Sequence, residues 1–330
     1  NEQCPFFKNN DTLDIMLSAT SYYGDSAIPR NSHGLWTLPY NVNLLGHNGN
    51  TSGCTSTLMF DPDSGTGIVI MTNEAGETAY NFGLLSLLFG EYTGDGTSIT
   101  ESTKLSGMYT LSRTYDKGFT RIYHILGSLL PLSKTEDEHV YKLSIGQGTL
   151  TQKTNNEYIM DNGNGWKYLM YLDNTEDGNI TLQMMSADCN KENTILFALK
   201  VLFILLGLFS FLYAIIALIR IMICVVFKKL RHKDYIKSYK VLGISRVITL
   251  LSILMNAYMI YLIILLPLNG ASVTTQNVWW KCTITGILSI IPIGYTVVLF
   301  IKNKDFEGTR KQKTRYIMTA VFGWILSLNV

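Results

Sequence analysis

The chain has 330 residues, of which 47% are hydrophobic and only 16% charged, against about 25% charged in ordinary soluble domains. So little charge excludes a disordered polypeptide, and the length allows two or three domains. The net charge of +2 conceals a split: residues 1–194 hold 11 Lys and Arg against 22 Asp and Glu, whereas residues 195–330 hold 16 against 3. An acidic first half argues against a nucleic-acid partner, and none is expected.

In chain order, His33–Pro39 and Val42–His47 read as two short strands around Pro39-Tyr40-Asn41. The glycine-rich run Gly46-His47-Asn48-Gly49-Asn50-Thr51-Ser52-Gly53 comes next. Cys54–Phe60 and Gly67–Thr72 then read as a second strand pair, joined by the turn residues Asp61-Pro62-Asp63-Ser64-Gly65. Apolar positions at Tyr80, Leu84, Leu85 and Leu88 predict a helix within Glu77–Phe89.

These residues in this order (G-H-x-G-x-T-x-G, a strand, D-P-x-x-G, then an apolar strand ending Met71-Thr72-Asn73) resemble the C-terminal end of the β-lactamase-related serine hydrolases. That family holds class C β-lactamases, D-alanyl-D-alanine carboxypeptidases, D-aminopeptidases and similar esterases. The resemblance covers roughly residues 10–92. It implies acyl transfer to a serine, on a D-amino-acid peptide of the cell wall or a small amide or ester. His47 would line the pocket, Gly49 would let a substrate backbone approach closely, and the N–H of Asn50 would donate to an oxyanion. The family's S-x-x-K, its Y-x-N and the alternative G-x-S-x-G are all absent from the chain. The expectation is therefore a fragment that begins inside its hydrolase domain and is inactive alone. Two other readings stay open: that His47 merely sits in a glycine-rich turn, and that a degenerate hydrolase fold serves as a non-catalytic binding or sensing protein at a membrane.

Gly94–Ser98 reads as a linker. Short alternating runs follow at Gly107–Arg113, Val140–Ile145, Thr149–Gln152, Tyr158–Met160, Tyr168–Leu172 and Ile180–Met184, with Ile122–Leu132 as a strand pair or short helix. Their spacing predicts a small antiparallel sheet or barrel. The five cysteines show no C-x-x-C pair and leave a disulfide among Cys4, Cys54 and Cys189 open. His124 and His139 have no metal-ligand spacing to a second ligand, and neither a metal nor another cofactor is expected.

After Asn193, apolar stretches at about 199–227, 247–268 and 282–301 reach the roughly 20 residues a membrane helix needs, and 316–330 would be a partial span. Lys and Arg crowd residues 228–246 and 302–315, whereas 269–281 holds Lys281 only, which predicts two cytoplasmic loops. The expected whole is α+β: the C-terminal portion of a penicillin-binding-protein or β-lactamase-like fold in residues 1–92 (antiparallel sheet plus helix), a small β-rich domain in 93–192, and a transmembrane α-helical bundle in 193–330. It would be a multi-pass protein of the cell membrane with residues 1–194 extracytoplasmic. Its partners would be the lipid bilayer and a small-molecule or peptide substrate.

Overall fold

The computed structural model describes residues 7–9, 11–94, 98–101, 103–113, 129–144, 147–174, 179–231 and 310–328, with isolated residues between 250 and 301. The chain divides into two units, one of Asn1–Thr114 and Tyr123–Thr194, the other of Tyr115–Ile122 and Ile195–Val330.

In the first unit a short helix α1 (Asp11–Leu17) precedes a six-stranded antiparallel sheet. The strands are β1 (Ser21–Tyr22), β2 (Pro29–Ser32), β3 (Leu35–Pro39), β4 (Asn43–Asn50), β5 (Thr55–Asp61) and β6 (Thr66–Thr72), and their order in space is their order in the chain. Turn chemistry sets this meander. His33 and Gly34 both take positive φ, +44° and +92°, the geometry of a two-residue hairpin turn. The strand expected from His33 therefore starts only at Leu35. At the next hairpin the Asp61 carboxylate accepts the N–H groups of Asp63 and Ser64 at 3.1 and 3.3 Å, and Gly65 closes the turn at φ +67°.

Helix α2 (Ala79–Phe89) packs on the sheet. Phe82, Leu85 and Phe89 are buried with Leu38, Leu44 and Met59. Gly90, at φ +74°, ends the helix by returning its N–H to the Ser86 carbonyl. Eight further strands follow: β7 (Gly107–Leu111), β8 (Leu129–Lys134), β9 (Val140–Leu143), β10 (Thr149–Gln152), β11 (Glu157–Asp161), β12 (Lys167–Asn174), β13 (Ile180–Gln183) and β14 (Asp188–Lys191). They close into a barrel through pairing of β14 with β7 and β9 with β10, leaving no open edge. Leu105, Tyr109, Leu150, Tyr158, Met160, Met170 and Leu182 fill its inside. Met185, Trp166 and Tyr168 of the barrel segment join the core beneath α2, where Trp166 stacks on Phe82 at 5.1 Å. Arg30 of β2 bonds the Asp188 carboxylate at 2.6 Å.

In the second unit α3 (Thr194–Arg231) runs for 38 residues, and α4 (Arg310–Leu328) meets it where Phe322 packs on Phe209 and Tyr213, ring centroids 5.7 and 4.4 Å apart.

This architecture corrects the expected fold class. The described residues form a closed eight-stranded barrel, a six-stranded sheet and four helices, not part of a penicillin-binding-protein-like fold followed by a transmembrane bundle. Among the described residues only the stretch Thr194–Arg220 of α3 is long and apolar enough to cross a bilayer, at a mean hydropathy of 2.8 over its best window. Its 27 residues rise about 40 Å, enough for about 30 Å of hydrocarbon. The expected fourth span does not qualify: Arg310, Lys311, Lys313 and Arg315 open α4, and the 13 apolar-rich residues left from Tyr316 to Leu328 rise only about 20 Å. Most of the expected spans 247–268 and 282–301, and most of the expected loops 228–246 and 302–315, lie outside the described residues. With one candidate membrane helix among the described residues, the multi-pass localisation, and the inside and outside assigned from it, are not supported and are withdrawn. His124, Cys4 and much of Ile122–Leu132 also fall outside the described residues. Cys54 and Cys189 are both free thiols, the first exposed and the second buried.

Candidate functional site

The three residues singled out by the glycine-rich pattern share one strand. His47, Gly49 and Asn50 form the second half of β4, opposite Leu58, Ser56 and Thr55 of β5. On the other side β3 pairs with β4 only from Pro39–Asn43 to Trp36–Gly46. From His47 to Asn50, β4 is therefore bordered by β5 alone among the described strands, and no described strand pairs with its second edge. The imidazole is exposed, not sealed in the core.

Two contacts hold that imidazole. It stacks on the Trp36 indole at 4.2 Å between centroids, with the planes 28° apart. Its Nδ1 lies 2.7 Å from the Asn48 carbonyl oxygen. A carbonyl only accepts, so Nδ1 carries a proton, and Nε2 of the neutral ring is left with its lone pair. The arrangement suits accepting a proton from a hydroxyl better than donating to an oxygen that gains negative charge.

The neighbouring glycines differ. A Cβ on Gly46 would lie 1.9 Å from the Leu58 carbonyl oxygen, so β5's backbone presses directly on that Cα. A Cβ on Gly49 would meet only the Ser56 Oγ, at 2.7 Å, and that hydroxyl can rotate away. Gly46 is thus required by the sheet, whereas Gly49 leaves room above the strand.

Asn50 is anchored by a network that joins the strand end to α2. Its Oδ1 accepts the Gly76 N–H at 2.9 Å and the Thr55 hydroxyl at 3.2 Å. The Glu77 N–H donates to the Thr55 Oγ1. The Glu77 carboxylate in turn accepts the N–H groups of Tyr80 and Asn81 and the Asn81 side-chain amide, at 2.8, 3.2 and 2.7 Å. It does the capping that Thr78, at the N-cap, does not. Behind the wall, the Asn48 amide and the Thr57 hydroxyl are buried without hydrogen-bond partners. Sequence reasoning missed Trp36, Thr55, Glu77 and Asn81. Trp36 is identified only by the register of the folded sheet, which sets it opposite Gly46.

Three carboxylates titrate below their ordinary range. Glu77 is held down by the Tyr80 N–H first and by Asn81 next, Asp61 by the hydroxyl of Ser64 and the turn N–H groups, and Glu91 by Lys167, whose Nζ is 2.5 Å away. Each binds a proton less readily folded than unfolded. Each therefore adds stability that is complete above the unfolded carboxyl range and is lost as pH falls through the folded value. The thermal midpoint of the first unit is expected to be flat from pH 7 to about 5 and to drop below about 4. Glu77→Gln should lower the plateau and shallow that acid limb. An acid limb unchanged in Glu77→Gln would remove Glu77 from the account.

Two concave regions flank Tyr92, and neither is lined by His47, Gly49 or Asn50. One, of about 130 Å³, includes Tyr40, Glu91, Asp161 and Lys167. The other, of about 570 Å³, includes Asn43, Asn155, Glu157 and Tyr171. Among the described residues no group of three or more His, Cys, Asp or Glu is placed to hold a metal ion.

No family model matches the chain, and no curated protein does. Two solved structures are similar to it over 56% of its length at 12% identity: a crystal structure of SurE with D-Leu, at a TM-score of 0.32, and a crystal structure of SurE, at 0.31. The similarity spans 44% and 43% of those chains, less than half of each.

Proposed function

We propose that the second half of β4 is one wall of an acyl-transfer site of the β-lactamase-related kind, acting on a D-amino-acid peptide, amide or ester. The observation that carries the reading is the edge from His47 to Asn50, with which no described strand pairs. An extended substrate backbone can add there as a further strand, hydrogen-bonding to main chain that β3 leaves uncovered. Gly49 lets it come close, the Asn50 N–H is available to a developing oxyanion, and the Nε2 of His47 accepts a hydroxyl proton. An oxyanion donor of this type is worth about 10²–10³ in rate where it has been removed. The chain carries no S-x-x-K or Y-x-N, so the role is that of a wall and not of a whole catalytic centre. The same absence favours the second reading, a non-catalytic binding protein. Both readings place a ligand on β4; only the first leads to turnover once a nucleophile is present. The apolar stretch Thr194–Arg220 supports the lipid bilayer as a second partner, through one helix.

The Trp36–His47 stack supplies the test. D-alanyl-D-alanine added to the chain should shift the His47 imidazole and Trp36 indole NMR signals saturably. Gly49→Ala should weaken that binding roughly tenfold, about 1.4 kcal/mol, with the thermal midpoint nearly unchanged. A fluorophosphonate serine probe should leave the chain unlabelled. Ligand shifts that bypass both rings would sink the wall, and a labelled serine would overturn the reading of β4 as a wall without a nucleophile of its own.

A further inference from the structure

Helix α4 opens with a charge that its own fold does not need. Arg310, Lys311, Lys313 and Arg315 fall within its first six residues, and none of its 19 residues is acidic. The helix dipole favours anions at an N-terminus, so four cations there weaken the helix and serve something else. Arg310 and Lys311 are exposed. The wider segment 302–315 holds six Lys and Arg against Asp305 and Glu307 alone, so an excess of positive charge survives even with both acids paired.

The rest of α4 is apolar and two-sided. Thr319, Phe322 and Gly323 are buried, with Phe322 against Phe209 and Tyr213 of α3. Ile317, Met318, Val321 and Trp324 are exposed, each by 38–46%. Helix α3 is barer still, since only 11% of the most apolar window of Thr194–Arg220 is buried. A medium that suits α3 is apolar, and α4, packed on α3, shares it.

The dimensions fit a bilayer. Phe209 and Tyr213 stand close to the middle of the stretch Thr194–Arg220. From Phe322 back to Arg310 is twelve residues, about 18 Å along the helix. Half the hydrocarbon thickness is about 15 Å, and the headgroup layer lies just beyond it. Counted from its contact with the middle of α3, α4 thus brings its first turn to the depth of phosphate groups, which Arg and Lys bind through charge-assisted hydrogen bonds. Phosphatidylcholine carries its own cation beside the phosphate and gains little from four more. A phospholipid of net negative charge gains the full attraction.

We infer that the start of α4, from Arg310 to Arg315, is a docking surface for anionic phospholipid headgroups, with Ile317, Met318, Val321 and Trp324 against the acyl chains. The inference rests on the lipid bilayer as a partner through α3 and adds which lipid is selected and by which residues.

The test uses the full chain reconstituted in phosphatidylcholine vesicles that carry a small share of lipid dansyl-labelled on its acyl chain, either phosphatidylglycerol or phosphatidylcholine. Energy transfer from Trp324 is read as the difference between the parent and Trp324→Phe. Half-maximal transfer should need at least roughly fivefold less of the phosphatidylglycerol label, the worth of one cation near an anionic surface. Raising salt from about 0.05 to 0.5 M should narrow that gap. Neutralising all four cations (Arg310→Gln, Lys311→Gln, Lys313→Gln and Arg315→Gln together) should abolish the gap and leave the phosphatidylcholine curve unchanged. Should that variant fail to fold, Arg310→Gln with Lys311→Gln should narrow the gap at least roughly twofold. Equal curves for the two lipids in the parent would overturn the headgroup surface, leave the bilayer as a partner and point the cations to an acidic protein instead. A gap that survives neutralisation would overturn the surface too. A chain that stays behind when the vesicles float, with no transfer to either label, would overturn the bilayer reading and the surface together.

Discussion

Gly46→Ala is expected to destabilise the first unit by more than about 3 kcal/mol, the upper end of what an added methyl costs in a packed interior, or to prevent its folding. The reason is local and steric. The new Cβ would sit 1.9 Å from the Leu58 carbonyl oxygen and 2.7 Å from the Met59 sulfur. Side chains can move from such an overlap, but a strand carbonyl cannot move without leaving its ladder. Relief therefore means parting β4 from β5 at Gly46–Met59. That is the point where β3 also pairs with β4, through Trp36. The same separation would free the indole on which His47 stacks, so the candidate wall would be lost with the hairpin. Gly49→Ala is the control, since its Cβ meets a hydroxyl that can rotate; about 1 kcal/mol or less is expected there. Urea unfolding of both variants gives the measurement. A Gly46→Ala midpoint within error of the parent's would show that β5 yields at this position, and the tight approach of its backbone would no longer explain the glycine.

The hairpins were legible because their signals are short-range. Alternating apolar residues and turn formers such as Asp61-Pro62-Asp63-Ser64-Gly65 lie within a few residues of what they determine. Helix α2 shows where that logic stops. Its existence followed from apolar spacing, but its buried face did not. The spacing pointed to Tyr80, Leu84, Leu85 and Leu88, whereas Asn81, Phe82, Leu85 and Phe89 are buried and Leu84 and Leu88 are exposed. An eleven-residue helix with no charge has no polar side to mark its outer face, so the tertiary contacts choose. They choose through a polar residue: Asn81 is wholly buried because its amide reaches the Thr72 hydroxyl and the Glu77 carboxylate. Strand β14 was missed for a related reason. Asp188-Cys189-Asn190-Lys191 shows one apolar residue, and its place is set by partners on β13 and β7. At the candidate site, His47, Gly49 and Asn50 were visible as a local pattern. The Trp36 stack and the ties from Asn50 to Gly76 and Glu77 were not, since each spans a hairpin or more. The length of the apolar stretches suggested several membrane passes, and the loop charges gave only their orientation; among the described residues one helix, Thr194–Arg220, is long and apolar enough to cross.

The barrel interior offers the other large effect, with a contrast that separates apolar burial from hydrogen bonding. Tyr109 and Tyr158 are both fully buried in the barrel core. The Tyr109 hydroxyl donates to the Leu105 carbonyl at 2.9 Å, whereas the Tyr158 hydroxyl is buried without a partner. Burial pushes both phenols well above their ordinary ionisation range, so each stays neutral at every pH at which the protein is handled. Tyr158→Ala should cost about 3–5 kcal/mol, as for truncation of any large aromatic side chain in a closed core. Tyr158→Phe keeps the ring and removes only an unsatisfied hydroxyl. It should be neutral or stabilise by up to about 1 kcal/mol. Tyr109→Phe keeps the ring too, but it leaves the Leu105 carbonyl without that donor and should cost about 1 kcal/mol. The order of unfolding midpoints is therefore Tyr158→Phe at or above the parent, Tyr109→Phe below it, and Tyr158→Ala lowest. If Tyr158→Phe proved as damaging as Tyr109→Phe, the Tyr158 hydroxyl would have to be bonded after all, and the inside of the barrel would not be the closed apolar core that the packing around it implies.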